Sequence, residues 1–204
     1  MLIVVSAPSG AGKTSLCREI RKVVPNVAYS VSFTTRAPRL GEVEDRDFHF
    51  VSEATFQRMV ERGEFAEWAR VHGNLYGTST RTLEEALERG EDMLLDIDTQ
   101  GARQLRPRYP DGLFVFVVAP SMKELESRLR ERKSDAPHEI ARRMTRAVEE
   151  IAAWREYDYL IVNHHLDEAV RQLHCIIEAE RCRTSRLGLT IPDLPAEGWR
   201  ERSG

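Results

Sequence analysis

Short runs of apolar residues alternate along the chain with stretches in which apolar positions recur every three or four residues. The first run covers residues 2–6 and precedes a glycine-rich turn, after which Leu16, Ile20 and Val23 follow at helical spacing up to Pro25. Three later apolar runs are each followed by a helical pattern of the same kind: residues 93–97, 113–119 and 159–162. Strands that alternate with amphipathic helices predict an α/β fold, with a parallel core sheet flanked by helices and joined by right-handed crossovers.

Two segments depart from this alternation and divide the chain into parts. Residues 33–90 are richer in Thr, Arg, Gly and aromatic residues, with shorter strand-like pieces, and predict an inserted substrate-binding subdomain. Residues 129–154 form a highly charged pair of helices with an interruption before Pro137, which predicts a lid. The rest of the chain divides into a core and a C-terminal tail: the core comprises residues 1–32, 91–128 and 155–183, and the tail residues 184–204.

The composition narrows the class of protein without identifying it. The chain has 204 residues, of which 41% are apolar and 31% charged, as in an ordinary soluble globule. Its 30 basic and 33 acidic residues leave a net charge of −3, which argues against binding to a nucleic acid polymer. The longest apolar run, residues 113–119, is too short to cross a bilayer, and no basic leader precedes the first strand. We therefore expect neither membrane insertion nor secretion.

The cysteines favour a cytoplasmic location. They are Cys17, Cys175 and Cys182, an odd number without C-x-x-C spacing. Cys175 and Cys182 lie on a predicted helix and would be about 10 Å apart, which is further than a disulfide can span. We expect reduced, buried thiols in a cytoplasmic protein.

A phosphate-binding loop is the strongest single motif, because it follows the first strand and opens the first helix. It comprises Ala7, Pro8, Ser9, Gly10, Ala11, Gly12, Lys13 and Thr14, followed by Ser15. Backbone N–H groups of such a loop surround nucleotide phosphates, while Lys13 reaches the β and γ oxygens and the Thr14 hydroxyl binds Mg²⁺. Ala7 stands where the general pattern has glycine, so the backbone there must keep a negative φ. The alternative is a glycine-rich turn followed by Lys-Thr by chance.

Two acidic residues follow the strand at residues 93–97. Asp96 and Asp98 are placed on the same side of the strand end, where a carboxylate beside a P-loop can complete a magnesium-water shell. The structural alternative is a helix N-cap, because Asp98 precedes a predicted helix. The sequence leaves open whether Asp96 has the metal role.

The inserted segment carries arginines and an acid that are weak signals individually. Arg36 and Arg39 are three residues apart and can form a bidentate clamp on a phosphate dianion, although such pairs are common on solvated surfaces. Glu67 lies in a second block, and Tyr76 and Thr78 lie in a glycine-flanked turn.

Taken together, these blocks resemble the guanylate kinases, which transfer a phosphoryl group from ATP to GMP. The resemblance runs from Leu2 to about Ile177 and rests on several motifs in order: the P-loop, Thr-Thr-Arg-Ala-Pro-Arg-x-Gly-Glu, Glu-Trp, Gly-Asn-x-Tyr-Gly-Thr, Leu-Asp-Ile-Asp-x-Gln-Gly and Tyr-Asp-Tyr-Leu-Ile-Val-Asn. It implies a P-loop nucleoside-monophosphate-kinase fold with a GMP-binding subdomain at residues 33–90 and a lid at 129–154. It also implies that Ala is acceptable at the first P-loop position.

The resemblance assigns roles to individual residues, which we list by ligand. GMP binding falls to Ser32, Glu67, Thr78 and Asp98 for the guanine and to Arg36, Arg39 and Tyr76 for the phosphate. ATP binding falls to the P-loop and to Asn163 near the adenine. The magnesium ligands, Thr14 and Asp96, are predicted from the P-loop and the strand end rather than from the resemblance. Charge on the transferring group is neutralised by Lys13, Arg36, Arg39, Arg132 and Arg143. The acceptors implied are GMP and dGMP.

Three departures from the family pattern stand out. A tyrosine expected on the GMP phosphate is Phe48, which predicts weaker GMP binding because a hydroxyl donor is missing. The glycines of the lid turn are missing around Arg132. For Arg142 and Arg146, the neighbours of Arg143, a merely solvated position is an alternative that the sequence leaves open. The acids that usually follow Asn163 are two histidines, and adjacent histidines rarely bind one metal ion.

Two other functions compete with this one. Guanylate-kinase-like domains of scaffold proteins bind phosphopeptides without chemistry, but are expected to have damaged P-loops, whereas Lys13 and Thr14 are intact. A P-loop kinase for another phosphorylated acceptor is the second alternative, and Glu67, Thr78 and Asp98 favour guanine over it. The sequence leaves the oligomeric state open, a homo-oligomer included.

Overall fold

A computed structural model of the chain describes residues 1–71, 73–131 and 137–186, and for Pro137 the backbone only. Arg132, the rest of the predicted lid turn and the tail from residue 187 onward lie outside the described residues. Nine strands and seven α-helices make up the described part. The strands are β1 (Leu2–Ser6), β2 (Val27–Tyr29), β3 (Phe33–Thr34), β4 (His49–Phe50), β5 (Phe65–Val71), β6 (Asn74–Ser79), β7 (Asp92–Asp96), β8 (Leu113–Val118) and β9 (Tyr159–Val162). The helices are α1 (Lys13–Val23), α2 (Glu53–Glu61), α3 (Thr80–Glu88), α4 (Thr99–Leu105), α5 (Met122–Glu131), α6 (Pro137–Ala152) and α7 (Leu166–Arg181), with a short 3-10 helix at Ala153–Glu156.

The core sheet is parallel and has the strand order β2-β7-β1-β8-β9. β1 lies at its centre, with Val4 opposite Leu95 of β7 on one side and Phe114 of β8 on the other. Alternate side chains of β1 enter two clusters. Ile3 and Val5 pack with residues of α1 and α7, and Leu2 and Val4 pack with residues of α3 and α4. The predicted α/β fold with helices on both faces is therefore confirmed.

A second sheet lies within residues 33–90 and has the strand order β4-β3-β6-β5. Its neighbours are antiparallel except for the β3–β4 pair. Phe56, Met59, Phe65 and Leu75 form a cluster of their own beneath this sheet. Ser52 and Ser79 are the N-caps of α2 and α3, and their hydroxyls accept hydrogen bonds from the backbone N–H groups of Thr55 and Thr82.

Two details of the sequence prediction are wrong. On α1 the buried side chains are Leu16, Cys17 and Ile20, whereas Val23 is 50% exposed, because the helix turns its last residue to solvent before Val24 enters the core. Cys175 and Cys182 have free thiols, as expected, but they lie on the exposed surface, and only Cys17 is buried. No helix in the described part of the chain is long and apolar enough to span a membrane.

Candidate active site

The loop between β1 and α1 has a backbone geometry that depends on two glycines. Gly10 and Gly12 have φ values of 93° and 96°, in the left-handed region that favours glycine. A Cβ added at Gly12 would clash with Nδ2 of Asn163, so any side chain there would force Asn163 away from the loop. Ala7 does not have a positive φ, so the backbone at the start of the loop can accept alanine in place of glycine.

Lys13, the first residue of α1, is held at the carboxyl end of the core sheet. Its Nζ donates a hydrogen bond to the Ile97 carbonyl at 2.7 Å and forms an ion pair of 2.7 Å with Asp96, the last residue of β7. Burial acts to lower the pKa of Lys13, but the charge and hydrogen bond of Asp96 outweigh it, and the pKa is raised above its ordinary value. Lys13 therefore stays positively charged at neutral pH.

A magnesium ion would find suitable donors beside this lysine. Thr14 is exposed in the first turn of α1, and the Asp96 carboxylate lies at the strand end opposite Val5 of β1. Mg²⁺ prefers hard oxygen donors and usually takes one or two protein ligands together with substrate phosphates. One hydroxyl and one carboxylate fit that requirement.

Asp98 caps the N-terminus of α4, which is the alternative to a metal-binding role that the sequence suggested. Its Oδ1 accepts a hydrogen bond from the backbone N–H of Gly101 at 2.9 Å, and its Oδ2 accepts one from Gln100 Nε2 at 2.9 Å. β7 ends at Asp96, so Asp98 belongs to the start of α4 rather than to the strand. Capping leaves Asp98 partly exposed, and it does not exclude a contact with GMP.

Glu67 is a buried carboxylate in β5, and Thr78 lies opposite it in β6. The Thr78 hydroxyl donates a hydrogen bond of 2.6 Å to Glu67 Oε1. Burial raises the pKa of Glu67 to about 7, and the Thr78 hydrogen bond opposes the rise. The nearby Asp98 charge raises the pKa further. A buried carboxylate of this kind is suited to a ligand that brings hydrogen-bond donors.

α4 fixes the position of Glu67 from behind. Gln104 donates a hydrogen bond to the carbonyl of Trp68 at 2.8 Å and accepts one from its N–H at 3.2 Å, and Arg108 donates one to the carbonyl of Ala66 at 2.8 Å. Both residues that flank Glu67 are therefore bound, Trp68 by α4 and Ala66 by the turn that follows α4. A Cβ on Gly101 would lie 2.3 Å from Glu67 Oε2, which shows how closely the helix approaches the carboxylate.

Arg36, one of the two arginines of the predicted phosphate clamp, has a partner that the sequence did not reveal. Arg36 donates two hydrogen bonds to the carboxylate of Glu42, at 2.9 and 2.8 Å, and one to the Tyr76 hydroxyl at 3.3 Å. The Phe48 ring centroid lies 5.3 Å from Cζ of Arg36. The Arg36 hydrogen bonds hold the pKa of Glu42 below its usual range. Glu42 is the last residue of the Thr-Thr-Arg-Ala-Pro-Arg-x-Gly-Glu motif, but its contact with Arg36 could not be predicted because it depends on how the loop folds back.

The remaining predicted GMP residues lie close to this clamp in the chain. Arg39 is exposed, and its backbone N–H donates a hydrogen bond to Glu42 at 2.7 Å. Ser32 is half-buried just before β3, and its carbonyl accepts a hydrogen bond from the His49 N–H.

The α6 helix brings arginines to the cleft. Nη1 of Arg143 lies 3.4 Å from the hydroxyl of Ser9 in the P-loop. Arg146 lies 3.6 Å from Asp98, so of the two alternatives for this residue the structure favours a contact in the cleft over a merely solvated position. Its spacing of three residues from Arg143 is the signal that indicates a shared helix face. Arg142 is exposed and pairs with Glu139 on its own helix, as expected for a solvated residue.

Asn163, predicted near the adenine, supports the P-loop backbone. Its Nδ2 donates a hydrogen bond of 2.8 Å to the Ala11 carbonyl, and its own carbonyl accepts one from Arg128. Among the described residues, the one cluster with metal-binding spacing is the exposed group of Glu44, Asp45 and His49, and neither His164 nor His165 belongs to it.

The fold and the cleft define a class of protein. The core is a parallel sheet with a P-loop at its carboxyl edge, and a second sheet carries a buried carboxylate and an arginine. A further helix places an arginine beside the P-loop. This arrangement is that of a P-loop kinase with the nucleoside-monophosphate-kinase fold. In such a fold, a second phosphorylated substrate faces the nucleotide across the cleft.

Comparison with known proteins identifies the family within that class. Residues 1–180 match the family model described as Guanylate kinase. The chain is 52% identical over 193 residues to the guanylate kinase of Geobacter metallireducens, covering 95% of each, and 55% identical to that of Syntrophotalea carbinolica, covering 92% of this chain and 89% of the relative. The crystal structure of guanylate kinase from Anaplasma phagocytophilum aligns with a TM-score of 0.77 and 34% identity, covering 91% of this chain and 88% of that one. The chain belongs to the guanylate kinase family.

Proposed function

We propose that this cleft carries out guanylate kinase chemistry with the residues named above, and that the buried Glu67–Thr78 pair selects the acceptor. The chain is a nucleoside monophosphate kinase that transfers the γ-phosphoryl group of ATP to GMP, giving ADP and GDP. The assignment of individual residues to each nucleotide is the part that experiments must test. The observation that carries it is the 2.6 Å hydrogen bond between Thr78 and a carboxylate with a pKa raised to about 7 by burial.

At the acceptor end, Glu67 accepts hydrogen bonds from the guanine N1–H and N2 amino group, with Ser32 and Asp98 nearby and the Thr78 hydroxyl at O6. Adenine presents an acceptor at N1, which would face the carboxylate and leave it without a donor. A site with buried polar groups of this kind rejects the wrong base by orders of magnitude. Loss of the ribose 2′-hydroxyl leaves these contacts unchanged, so dGMP is also an acceptor.

Phosphates are held at both ends of the cleft. The P-loop N–H groups and Lys13 bind the ATP phosphates, and Asn163 lies near the adenine. Arg36, Arg39 and Tyr76 bind the GMP phosphate. When Mg²⁺ is bound through Thr14 and Asp96, it supplies positive charge to the β and γ oxygens.

The transfer is an in-line displacement. An oxygen of the GMP phosphate forms a bond to the γ-phosphorus, while the bond from that phosphorus to the β–γ bridging oxygen breaks and ADP leaves. No general base is needed, because the attacking phosphate is already ionised. Lys13, Arg36, Arg39, Arg132 and Arg143 act by positioning and by neutralising charge.

The larger organisation follows from these roles. Residues 33–90 act as the GMP-binding subdomain and residues 129–154 as a lid that closes over both nucleotides and excludes water. We expect the reaction to take place in the cytoplasm, where both nucleotides are available.

The function is tested by measuring ADP production with GMP, dGMP, AMP, CMP and UMP as acceptors. We expect turnover with GMP and dGMP, and rates with the other three that are lower by about three orders of magnitude or more. Lys13→Ala should reduce turnover with GMP by about 100-fold or more. The matched control is Lys22→Ala, because Lys22 lies on the same helix but is exposed and pairs only with Glu19 among the described residues.

Two results would overturn the proposal in different ways. Equal turnover of all five acceptors would remove the role of Glu67 and favour a kinase for another phosphorylated substrate. Absence of turnover with every acceptor would favour a phosphopeptide-binding domain of the scaffold type. Equal losses in the lysine variant and its control would contradict the role of Lys13.

A further inference from the structure

Two arginines on α6 that look alike in the sequence have different surroundings. The side chain of Arg142 is 61% exposed and pairs with Glu139 one turn earlier on the same helix. The side chain of Arg146 is 27% exposed and reaches across the cleft, where Nη2 lies 3.6 Å from Oδ2 of Asp98. Only Arg146 therefore connects the helix to the acceptor end of the site.

The carboxylate that Arg146 faces stands at the start of the element that fixes Glu67. Asp98 caps α4 through the N–H of Gly101, and the Gly101 backbone packs against the Glu67 carboxylate. Gln104 of α4 and Arg108 in the turn after it hold the strand residues on either side of Glu67. A shift of Asp98 therefore moves the helix that sets the position of the guanine-binding carboxylate.

Arg146 also balances the charge of a second carboxylate beside Asp98. Its Nε donates a hydrogen bond of 2.9 Å to Glu150, one turn later on α6. Glu150 and Asp98 are each only 14% exposed, and Arg146 lies within reach of both carboxylates. Lys13 also acts electrostatically on both carboxylates. Without Arg146, however, the two poorly solvated carboxylates would lose the cation that contacts them both.

We propose that Arg146 is a positioning residue for the guanine site, acting through Asp98 and α4 on Glu67. This inference rests on the proposed function. Arg143, three residues earlier, faces Ser9 in the P-loop. The same face of α6 thus serves the ATP end through Arg143 and the GMP end through Arg146. Because the Arg146–Asp98 contact is an ion pair rather than a hydrogen bond, its effect on GMP binding should be moderate.

The test compares Arg146→Ala with Arg142→Ala, its matched control on the same helix. Steady-state kinetics are measured with GMP varied at saturating ATP and with ATP varied at saturating GMP. We expect Arg146→Ala to raise the KM for GMP about tenfold, with kcat and the KM for ATP changed by less than about twofold. Arg142→Ala should leave all three constants within about twofold of the wild type.

Two further variants separate positioning from general damage to the fold. Arg146→Lys keeps the charge and should restore a KM for GMP within about threefold of the wild type, even if the alanine variant unfolds. In Asp98→Asn, the additional substitution Arg146→Ala should change the KM for GMP by less than about twofold, because its partner charge is already gone.

The inference is overturned if Arg146→Ala has the same KM for GMP as Arg142→Ala, or if it raises the KM values for GMP and ATP together. It is also overturned if the effects of Arg146→Ala and Asp98→Asn are additive. A wild-type chain without GMP turnover would refute the proposed function and this inference with it. If the wild type turns over GMP but Arg146→Ala and Arg142→Ala have the same KM for GMP, this inference alone is refuted.

Discussion

The two proposed phosphate sites of the cleft are built from different parts of the chain. At the ATP end, the site is a turn of main chain whose shape depends on Gly10 and Gly12 and is supported by Asn163. At the GMP end, the site consists of side chains on an exposed loop and a small sheet, with Arg36 and Tyr76 at its centre. At each end the main cation pairs with a carboxylate: Lys13 with Asp96 and Arg36 with Glu42.

This difference shows where each end is vulnerable. A site made from main chain fails when its backbone can no longer adopt the required φ values, whatever side chains surround it. A site made from side chains tolerates backbone changes in the loop but fails when one functional group is exchanged for another. The following four predictions test this contrast, beginning with the largest expected effect.

Gly12→Ala should break the ATP end. The added methyl group would meet Asn163 Nδ2 at 2.4 Å and would force alanine into a φ of 96°. We expect kcat to fall by about 1000-fold, because the phosphate-binding N–H groups are displaced. The control is Gly41→Ala, which has a φ of 89° in the GMP loop but open space around it. There we expect only about 1 kcal/mol of lost stability and little change in kinetics. Equal kinetic damage in both variants would contradict the contrast.

Glu67→Gln should break base recognition at the GMP end and raise the KM for GMP by about 100-fold, because an amide cannot accept both guanine donors. It should also change how stability depends on pH. The pKa of Glu67 is raised from 4.5 to about 7 in the folded protein. The wild type therefore loses stability as pH rises from about 4.5 to about 7, on the order of 3 kcal/mol in total.

Thermal unfolding at pH 5 and pH 8 checks this second effect. Glu67→Gln should gain stability relative to the wild type between these two pH values, since it has no carboxyl group to ionise. Glu64→Gln is the control, because Glu64 is partly exposed and pairs with Arg62 at the surface. A constant difference between Glu67→Gln and the wild type would show that burial does not shift this carboxyl group.

Arg36→Lys should weaken the clamp while its charge is kept. Lysine cannot reproduce the paired hydrogen bonds to Glu42 together with the contact to Tyr76. We expect the KM for GMP to rise about 30-fold, equivalent to about 2 kcal/mol, without change in the KM for ATP. Arg46→Lys in the same loop, exposed and paired with Asp47, should have no effect. A normal KM in Arg36→Lys would mean that charge alone holds the phosphate.

Phe48→Tyr should improve the GMP end. The Phe48 ring lies beside Arg36, with its centroid 6.0 Å from that of Tyr76, so a hydroxyl would join the groups that surround the phosphate. One added hydrogen bond to a charged group is worth about 1.5 kcal/mol, or about a tenfold lower KM for GMP. An unchanged KM would show that the family's tyrosine is dispensable in this chain.

The sequence predicts the main-chain half of this cleft better than the side-chain half. The P-loop could be placed because strand, turn and helix are continuous in the chain, and Lys13 follows directly from that order. The pairing of Lys13 with Asp96 depends on β7 lying beside β1, a strand order that apolar periodicity does not encode. Asp98 was correctly recognised as a possible cap because capping is local to a few residues.

Contacts between distant segments explain what the sequence missed. The contact of Arg36 with Glu42 requires a loop to fold back on itself, and the contact of Arg146 with Asp98 joins α6 to the start of α4. Neither has a characteristic spacing. The burial of Glu67 likewise arises only when α4 packs against β5, so its raised pKa could not be predicted from an isolated Glu-Trp motif.

The protonation of Glu67 also gives GMP binding a signature of its own. With a pKa near 7, a share of empty molecules carries a proton on this carboxyl group at neutral pH. Guanine offers donors and therefore favours the ionised form, so each binding event expels part of a proton into the medium. In calorimetry, the heat of GMP binding should then vary with the ionisation enthalpy of the buffer, while the heat of ATP binding at the other end need not.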